Sequence, residues 1–206
     1  IKEAQEYKFT VHYQAKDEVE VPADNVQTST WKRTVTVDKV DGHQVSTTPW
    51  ETENSYHEVV TPEIAQHYAD KKVVSSETKQ ENVTEVVEYS PMGHIIPVDE
   101  NNNPIPNIEN PQYNNDPEDP TKGGKTDVPE IPGYTPEVTE VTPEDPGKDT
   151  PVVYTANEHT VKIKYVDDDN NEVQVGTTKD LTGKTGETVT PEYEIPANYE
   201  YVGGEE

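Results

Sequence analysis

Alternation of apolar and polar positions is sharpest in Tyr7-Lys8-Phe9-Thr10-Val11-His12-Tyr13, where Tyr7, Phe9, Val11 and Tyr13 fall on one face of an extended chain. A period of two over this length predicts a half-buried strand. Trp31 to Val45 follows the same grammar: Thr34-Val35-Thr36-Val37 runs into Asp41-Gly42 and leaves through Val45, which predicts a hairpin with a primed or related turn. Pro62-Glu63-Ile64, Tyr68 and an alternating strand from Val83 to Tyr89 come next, and residues 62–72 are a candidate short helix.

The pattern then recurs, and recurrence of this kind points to modules. His94-Ile95-Ile96-Pro97-Val98 leads to a turn at Asp99-Glu100-Asn101-Asn102-Asn103, then to Pro129-Glu130-Ile131, Tyr134 and a closing strand Val152-Val153-Tyr154. A third round opens at Thr160-Val161-Lys162-Ile163-Lys164-Tyr165-Val166, turns at Asp168-Asp169-Asn170-Asn171, and passes Pro191-Glu192-Tyr193-Glu194-Ile195 and Tyr199 with no closing strand before Glu206. The expected division is a closing strand of a preceding module at 1–18, a first module at 19–91, a Pro-rich module, extension or linker at 92–156, and a module lacking its last strand at 157–206. The expected fold class is therefore mainly β, an elongated tandem of small modules with little helix. Two modules plus a Pro-rich spacer is the alternative division, since residues 104–151 are dense in proline, which removes ladder donors and favours extended backbone. Read as an array cut out of phase, Gly203 to Glu206 leads into a segment like Ile1-Lys2-Glu3, and strand exchange between molecules, giving head-to-tail self-association, stands beside pairing within the chain.

Composition decides between a folded and a disordered reading. Only 29% of residues are hydrophobic and the net charge is −26, values that lean towards disorder. The kind of hydrophobe opposes this: 27 Val and 12 Tyr stand against one Leu, one Phe and one Met, a choice suited to pleated, half-buried surfaces. With no Cys, such modules must be held by strand pairing and burial alone. The 42 carboxylates, with no basic stripe to offset them, exclude nucleic acid as a natural partner and disfavour an anionic membrane surface. No segment approaches the roughly 20 apolar residues of a membrane span, so no membrane insertion is expected. Residues 1–20 lack the order of a signal peptide, so the signal and anchor of an exported parent are expected outside this chain.

Candidate chemistry is sparse. Asp167, Asp169 and Asn171 match the first alternate oxygen ligands of a Ca²⁺ loop, but Glu172 stands where that loop needs Gly and Thr178 where it needs a bidentate Glu, so a plain turn competes with a cation site. Asp116 and Asp119 lie in a second oxygen-rich stretch, and Ca²⁺ is the one cofactor considered. The histidines, His12, His43, His57, His67, His94 and His159, are dispersed, which does not suit a metal or catalytic cluster. No nucleophile elbow, phosphate loop or dinucleotide turn is present, and no catalytic residue is expected. Trp31, Trp50, Tyr56 and Tyr68 are the candidate ligand-binding residues, because aromatic rings stack on sugars or anchor interfaces. Core packing is the competing role for each.

These residues also carry a resemblance. Arg33-Thr34-Val35-Thr36-Val37-Asp38-Lys39-Val40-Asp41-Gly42, followed by Trp50, resembles the second domain type of the mucus-binding (Mub, MucBP) repeats of lactobacilli and related Gram-positive bacteria. Gly93 to Asn107, Gln112 to Pro117 and Pro146 to Tyr154 resemble the connecting segment of the same repeats, and Val161 to Asp169 with Thr182 to Glu187 is similar to the MucBP domain. The resemblance implies ubiquitin-like β-grasp modules in an extracellular, cell-wall-anchored adhesin whose repeats bind mucin glycans of host mucus by many weak contacts. It further implies immunoglobulin binding for some repeats, and a purely structural stalk is the remaining alternative. One departure is local: where the family commonly has Gly-Tyr after the Pro-x-Ile element, this chain has Gln66-His67-Tyr68.

Overall fold

A computed structural model describes residues 1–204, so Glu205 and Glu206, with the expected continuation through them, lie outside the described residues. The strands, in chain order, are β1 (Lys2–Ala15), β2 (Asn25–Val37), β3 (Gln44–Thr47), β4 (Glu51–Thr52), β5 (Val59–Val60), β6 (His67–Ala69), β7 (Val73–Val74), β8 (Val83–Pro91) and β9 (Ile95–Val98). They continue with β10 (Asn115–Asp116), β11 (Asp119–Gly123), β12 (Thr126–Asp127), β13 (Tyr134–Pro136), β14 (Glu140–Val141), β15 (Thr150–Ala156), β16 (Glu158–Asp167) and β17 (Val173–Lys184). Helix among the described residues is confined to one 3₁₀ turn at Asp168–Asn170. The candidate helix at 62–72 is instead β6 and its flanking coil. No helix among these residues is long and apolar enough to cross a membrane.

The chain divides into two compact units. The first holds Ile1–Ile96, Glu109–Val128 and Thr139–Pro151, and the second holds Pro97–Ile108, Pro129–Val138 and Val152–Glu206. Residues 92–156 are thus divided between the two units.

In the first unit the main sheet has the order β3-β2-β1-β8-β6, with β4 also on β2. β1 pairs antiparallel with β2 from Lys2↔Thr34 to Val11↔Asn25. On its other side it pairs parallel with β8 from Phe9↔Val83 to Ala15↔Tyr89. A hairpin whose first strand lies beside a parallel closing strand is the strand order of a β-grasp sheet, here with strands and coil in place of the crossing helix. Residues 2–15, expected as the closing strand of a preceding module, are β1 of their own chain's sheet, paired with β2 along residues 2–11 and with β8 along residues 9–15.

Alternation explains the core. Phe9, Val11 and Tyr13 are buried from β1, Val87 and Tyr89 from β8, and they meet Val59, Ala69 and Val74. Burying a side chain of this size is worth about 1.5–3 kcal/mol, so a core of eight such residues has little to spare. The β2–β3 hairpin closes with Asp38 N–H donating to His43 O at 2.8 Å and Gly42 N–H to Asp38 O at 3.0 Å. That loop is longer than a two-residue primed turn, and Gly42 carries the left-handed φ of +78° that a side chain resists.

The recurring Pro-Glu-Ile and Val-Val-x-Tyr elements acquire a physical meaning here. The buried Tyr89 hydroxyl of β8 donates to Pro62 O at 2.7 Å, and in the second unit the buried Tyr154 hydroxyl of β15 donates to Pro129 O at 2.6 Å. Each closing strand therefore ties down the irregular segment that precedes it. Burial, with Tyr13 beside it, pushes the Tyr89 phenol up to about 12. After each Pro-Glu-Ile comes a turn with a left-handed third residue: Ile64 O accepts from His67 N–H around Gln66 (φ 58°), and Ile131 O accepts from Tyr134 N–H around Gly133 (φ 83°). Gln66 so occupies the glycine position, and its main chain is held by Asn115 Oδ1 on its N–H at 2.7 Å and by Met92 N–H on its carbonyl at 2.9 Å.

His67, next in line, lies with Nδ1 2.8 Å from Ala65 O and Nε2 2.7 Å from Asp17 Oδ2. Burial opposes the imidazolium, but the Ala65 carbonyl and the Asp17 carboxylate outweigh it and raise the His67 pKa above its ordinary value. A group with a raised folded-state pKa lends stability that is complete below its unfolded pKa, about 6.5, and is lost as pH rises through the folded value. Asp17→Asn is therefore expected to cost about 0.5–1 kcal/mol at pH 5.5 and less at pH 8.5. Urea titrations at the two pH values check this, and an equal cost at both would remove His67 as the cause.

In the second unit, β13, β15 and β9 form a sheet in that order, with Val98, Ile131, Val152 and Tyr154 buried. β16 and β17 form an antiparallel ribbon from Glu158↔Lys184 to Asp167↔Val173, where the third round of alternation places a strand, a turn and a strand.

Candidate binding surface

β8 reaches only residues 9–15 of β1, so the Lys2–Lys8 half of the β1–β2 ribbon extends past it. In this half the face that forms the core farther along becomes partly open, and the odd-numbered positions of β2 run along it: Ser29 buried, Trp31 and Arg33 half-buried, Val35 buried. Opposite them on β1 stand Tyr7, Gln5 and Glu3. β4 pairs with β2 at Trp31↔Thr52, which brings the preceding Trp50 to the same region.

The polar groups on this face are tied to one another. Trp31 Nε1–H donates to Ser29 Oγ at 3.1 Å, Ser29 Oγ and Tyr56 Oη share a hydrogen bond of 2.9 Å, and Tyr56 Oη donates to Tyr7 O at 3.2 Å. Arg33 Nε donates to Glu3 Oε2 at 2.5 Å, while its guanidinium lies over the Trp50 ring, 4.6 Å from the centroid. The Arg33–Glu3 bond holds the guanidinium on the ring and leaves its remaining N–H groups as donors. A flat indole face beside fixed donors and a carboxylate is the arrangement that stacks on a sugar ring and hydrogen-bonds its hydroxyls.

The four candidate aromatics separate accordingly. Trp31 and Trp50 flank Arg33 on this face. Tyr56 joins them through its hydroxyl, but its ring packs on Phe9 at 5.5 Å and serves the core. Tyr68 is in β6 and not on this face; a Cβ on Gly147 would come within 2.6 Å of its hydroxyl, so it is a packing partner of the 147 loop. Arg33 and Glu3 were not singled out as site residues from the sequence. The signal available was the spacing of Trp31 and Arg33, two apart on one strand, which puts both on one face.

The candidate cation ligands do not converge. Asp116 Oδ1 accepts from Glu118 N–H at 2.9 Å, and Asp119 Oδ1 accepts from Thr121 N–H and Oγ1–H at 2.9 and 2.6 Å. The Thr121 hydroxyl and N–H, with Lys72 and Lys122 nearby, hold the Asp119 carboxyl below the usual range. Asp167 Oδ1 accepts from Asp169 N–H at 3.1 Å and caps the 3₁₀ turn. Such bonds, a side-chain oxygen to the N–H two residues on, are the mark of an Asx turn. Asp38 with Val40 and Asp99 with Asn101 make the same bond at 2.7 and 2.8 Å. Asp167 at the Ca²⁺-like loop thus forms a turn through its carboxylate. Among the described residues, Asp38, Asp41 and His43 are the one group whose ligand atoms lie within 4.8 Å of one another, and none of the four candidates belongs to it.

Solved structures similar to parts of the chain include the mucin-binding domain of Spr1345 from Streptococcus pneumoniae, at 25% identity and a TM-score of 0.40, over 45% of this chain and 95% of that one. The MucBP domain of an adhesion protein from Pediococcus pentosaceus aligns at 22% identity and a TM-score of 0.38, over 42% of this chain and 98% of that one. A MucBP domain of a Lactobacillus acidophilus protein aligns at 23% identity and a TM-score of 0.36, over 44% of this chain and 95% of that one. No curated protein sequence matches. The sequence model of the Muc B2-like domain family matches residues 2–93, which include β1 to β8. Residues 2–93 are thus similar to the Muc B2-like domain family.

Proposed function

We propose that this chain is a binding module of a bacterial surface adhesin, displayed outside the cell on a wall-anchored parent, and that it attaches to host mucus through mucin glycans. The observation that carries the reading is the match of residues 2–93 to the Muc B2-like domain family. The half-buried Trp31, Arg33 and Trp50 on the open end of its ribbon supply a surface of suitable chemistry. One such face buries little area, so a single module binds weakly, and firm attachment comes from repetition along the parent chain. The net charge of −26 supports the same division of labour, because it keeps the modules solvated and apart while contact is made through short-range stacking and hydrogen bonds.

The deciding measurement is retention of the purified chain on immobilised mucin before and after enzymatic removal of the glycans. Retention on intact mucin that disappears on deglycosylation is the expected outcome. Equal retention on both surfaces, or none on either, sinks the glycan reading.

A further inference from the structure

The charges beside the tryptophans bear on which sugars the open end of the β1–β2 ribbon accepts. Glu3, Gln5 and Tyr7 of β1 share one side there with Ser29, Trp31, Arg33 and Val35 of β2. Thr52 stands opposite Trp31, and the Trp50 ring lies against the Arg33 guanidinium on that same side. Arg33 is the single cation in this set and Glu3 the single anion, and the two are joined through Arg33 Nε and Glu3 Oε2 at 2.5 Å. The set is therefore neutral as a whole. Lys2, Lys8 and Lys32 alternate onto the opposite side of the ribbon, where Lys32 meets Glu53 at 3.8 Å.

The other polar groups on this side carry no charge. Gln5 Oε1 accepts from the Tyr7 hydroxyl at 2.9 Å and from Gln80 Nε2–H at 3.1 Å, which fixes the amide and leaves Gln5 Nε2 as a donor. Lys79, the neighbour of Gln80, is paired with Glu81 at 2.9 Å. A sugar hydroxyl meets amide and guanidinium donors here, with a carboxylate to accept its proton. A sugar carboxylate or sulfate meets a guanidinium whose charge is already matched and, beside it, a like charge.

We infer that this face takes an uncharged pyranose in preference to a carboxylated or sulfated one, and that Glu3 is the residue that sets the preference. The discrimination comes from a repulsive element against the acidic sugar, not from closer contacts to the neutral one. At physiological ionic strength the screening length is about 8 Å, so Glu3, bonded to Arg33, acts on a sugar held there while carboxylates on distant strands are largely screened. A glutamine carbonyl in its place still accepts from Arg33 Nε, so Glu3→Gln keeps the guanidinium on Trp50 and leaves its charge unmatched. The inference rests on the glycan reading of this face.

The test places the purified chain on three mucin surfaces: intact, stripped of sialic acid and sulfate alone, and stripped of all glycans. The parent chain is expected to be retained about two- to fivefold better once the acidic groups are gone, the scale of one exposed charge interaction. Glu3→Gln should reverse that order and hold better to the intact surface. Glu6→Gln, which removes the same charge from the opposite side of β1, should keep the parent's order. Parent retention that falls or stays level when the acidic groups are removed overturns the preference and leaves the glycan reading standing; this arm needs no variant. A Glu3→Gln chain that keeps the parent's order with the parent's tryptophan fluorescence, or a Glu6→Gln chain that reverses it, overturns the role of Glu3. Equal retention on intact and fully deglycosylated mucin fails the glycan reading itself.

Discussion

Phe9→Ala is expected to cost the first unit about 3–5 kcal/mol, the range for removing a fully buried aromatic ring. Phe9 is fully buried in the centre of β1, where that strand holds β2 on one side and β8 on the other, and its ring meets Tyr56 at 5.5 Å. The void would open between the two halves of the sheet, and the neighbours that could fill it, Val11, Val87 and Tyr89, are fixed by pairing on their own strands. Both tryptophans of the chain, Trp31 and Trp50, belong to the first unit, so denaturant titration followed by tryptophan fluorescence reads that unit alone. Val161→Ala on the exposed ribbon is the comparison and should stay within about 0.5 kcal/mol of the parent. A tryptophan-detected midpoint for Phe9→Ala that matches the parent would mean that the core is not centred on β1.

The strands were legible because their signal is local. Period-two alternation at Tyr7–Tyr13, Val83–Tyr89 and Thr160–Val166 depends only on which face is buried, and β1, β8 and β16 lie over those segments. The closing-strand pattern was legible too, and its tyrosines prove to be the ones that anchor Pro62 and Pro129. Pairing partners were not legible. Whether Thr10-Val11-His12-Tyr13 closes a preceding module or sits at the centre of its own depends on a parallel contact with residues 83–89, more than seventy positions away, and alternation carries no record of its neighbour. The oxygen-rich turns were ambiguous for a related reason: Asp and Asn at alternate positions suit a cation or an Asx turn equally well. Of the candidate face, the sequence offered the tryptophans but not the Arg33 stack, because Trp50 approaches β2 through β4, a strand of two residues with no period to detect.

Trp50→Ala should reduce mucin retention about tenfold or more while leaving the first unit folded, and this pairing of effects follows from where the ring sits. Trp50 is half-buried, outside the cluster of Phe9, Val11, Tyr13, Val87 and Tyr89, and its contact is with the Arg33 guanidinium at 4.6 Å. Its removal takes away the flat surface on which a sugar ring would stack and frees Arg33 from one of its two restraints, the other being Glu3. Loss of one aromatic anchor at a binding surface typically costs about 1–3 kcal/mol, which for a single weak module abolishes measurable capture. Arg33→Lys should produce a smaller loss, about 0.5–1 kcal/mol, because an ammonium cannot lie flat on the indole. Tyr68→Phe, which alters a packing residue of β6 outside this face, should leave retention unchanged. If Trp50→Ala were retained on mucin as well as the parent chain, with fluorescence from Trp31 reporting an intact fold, the open end of the β1–β2 ribbon would no longer be the binding face.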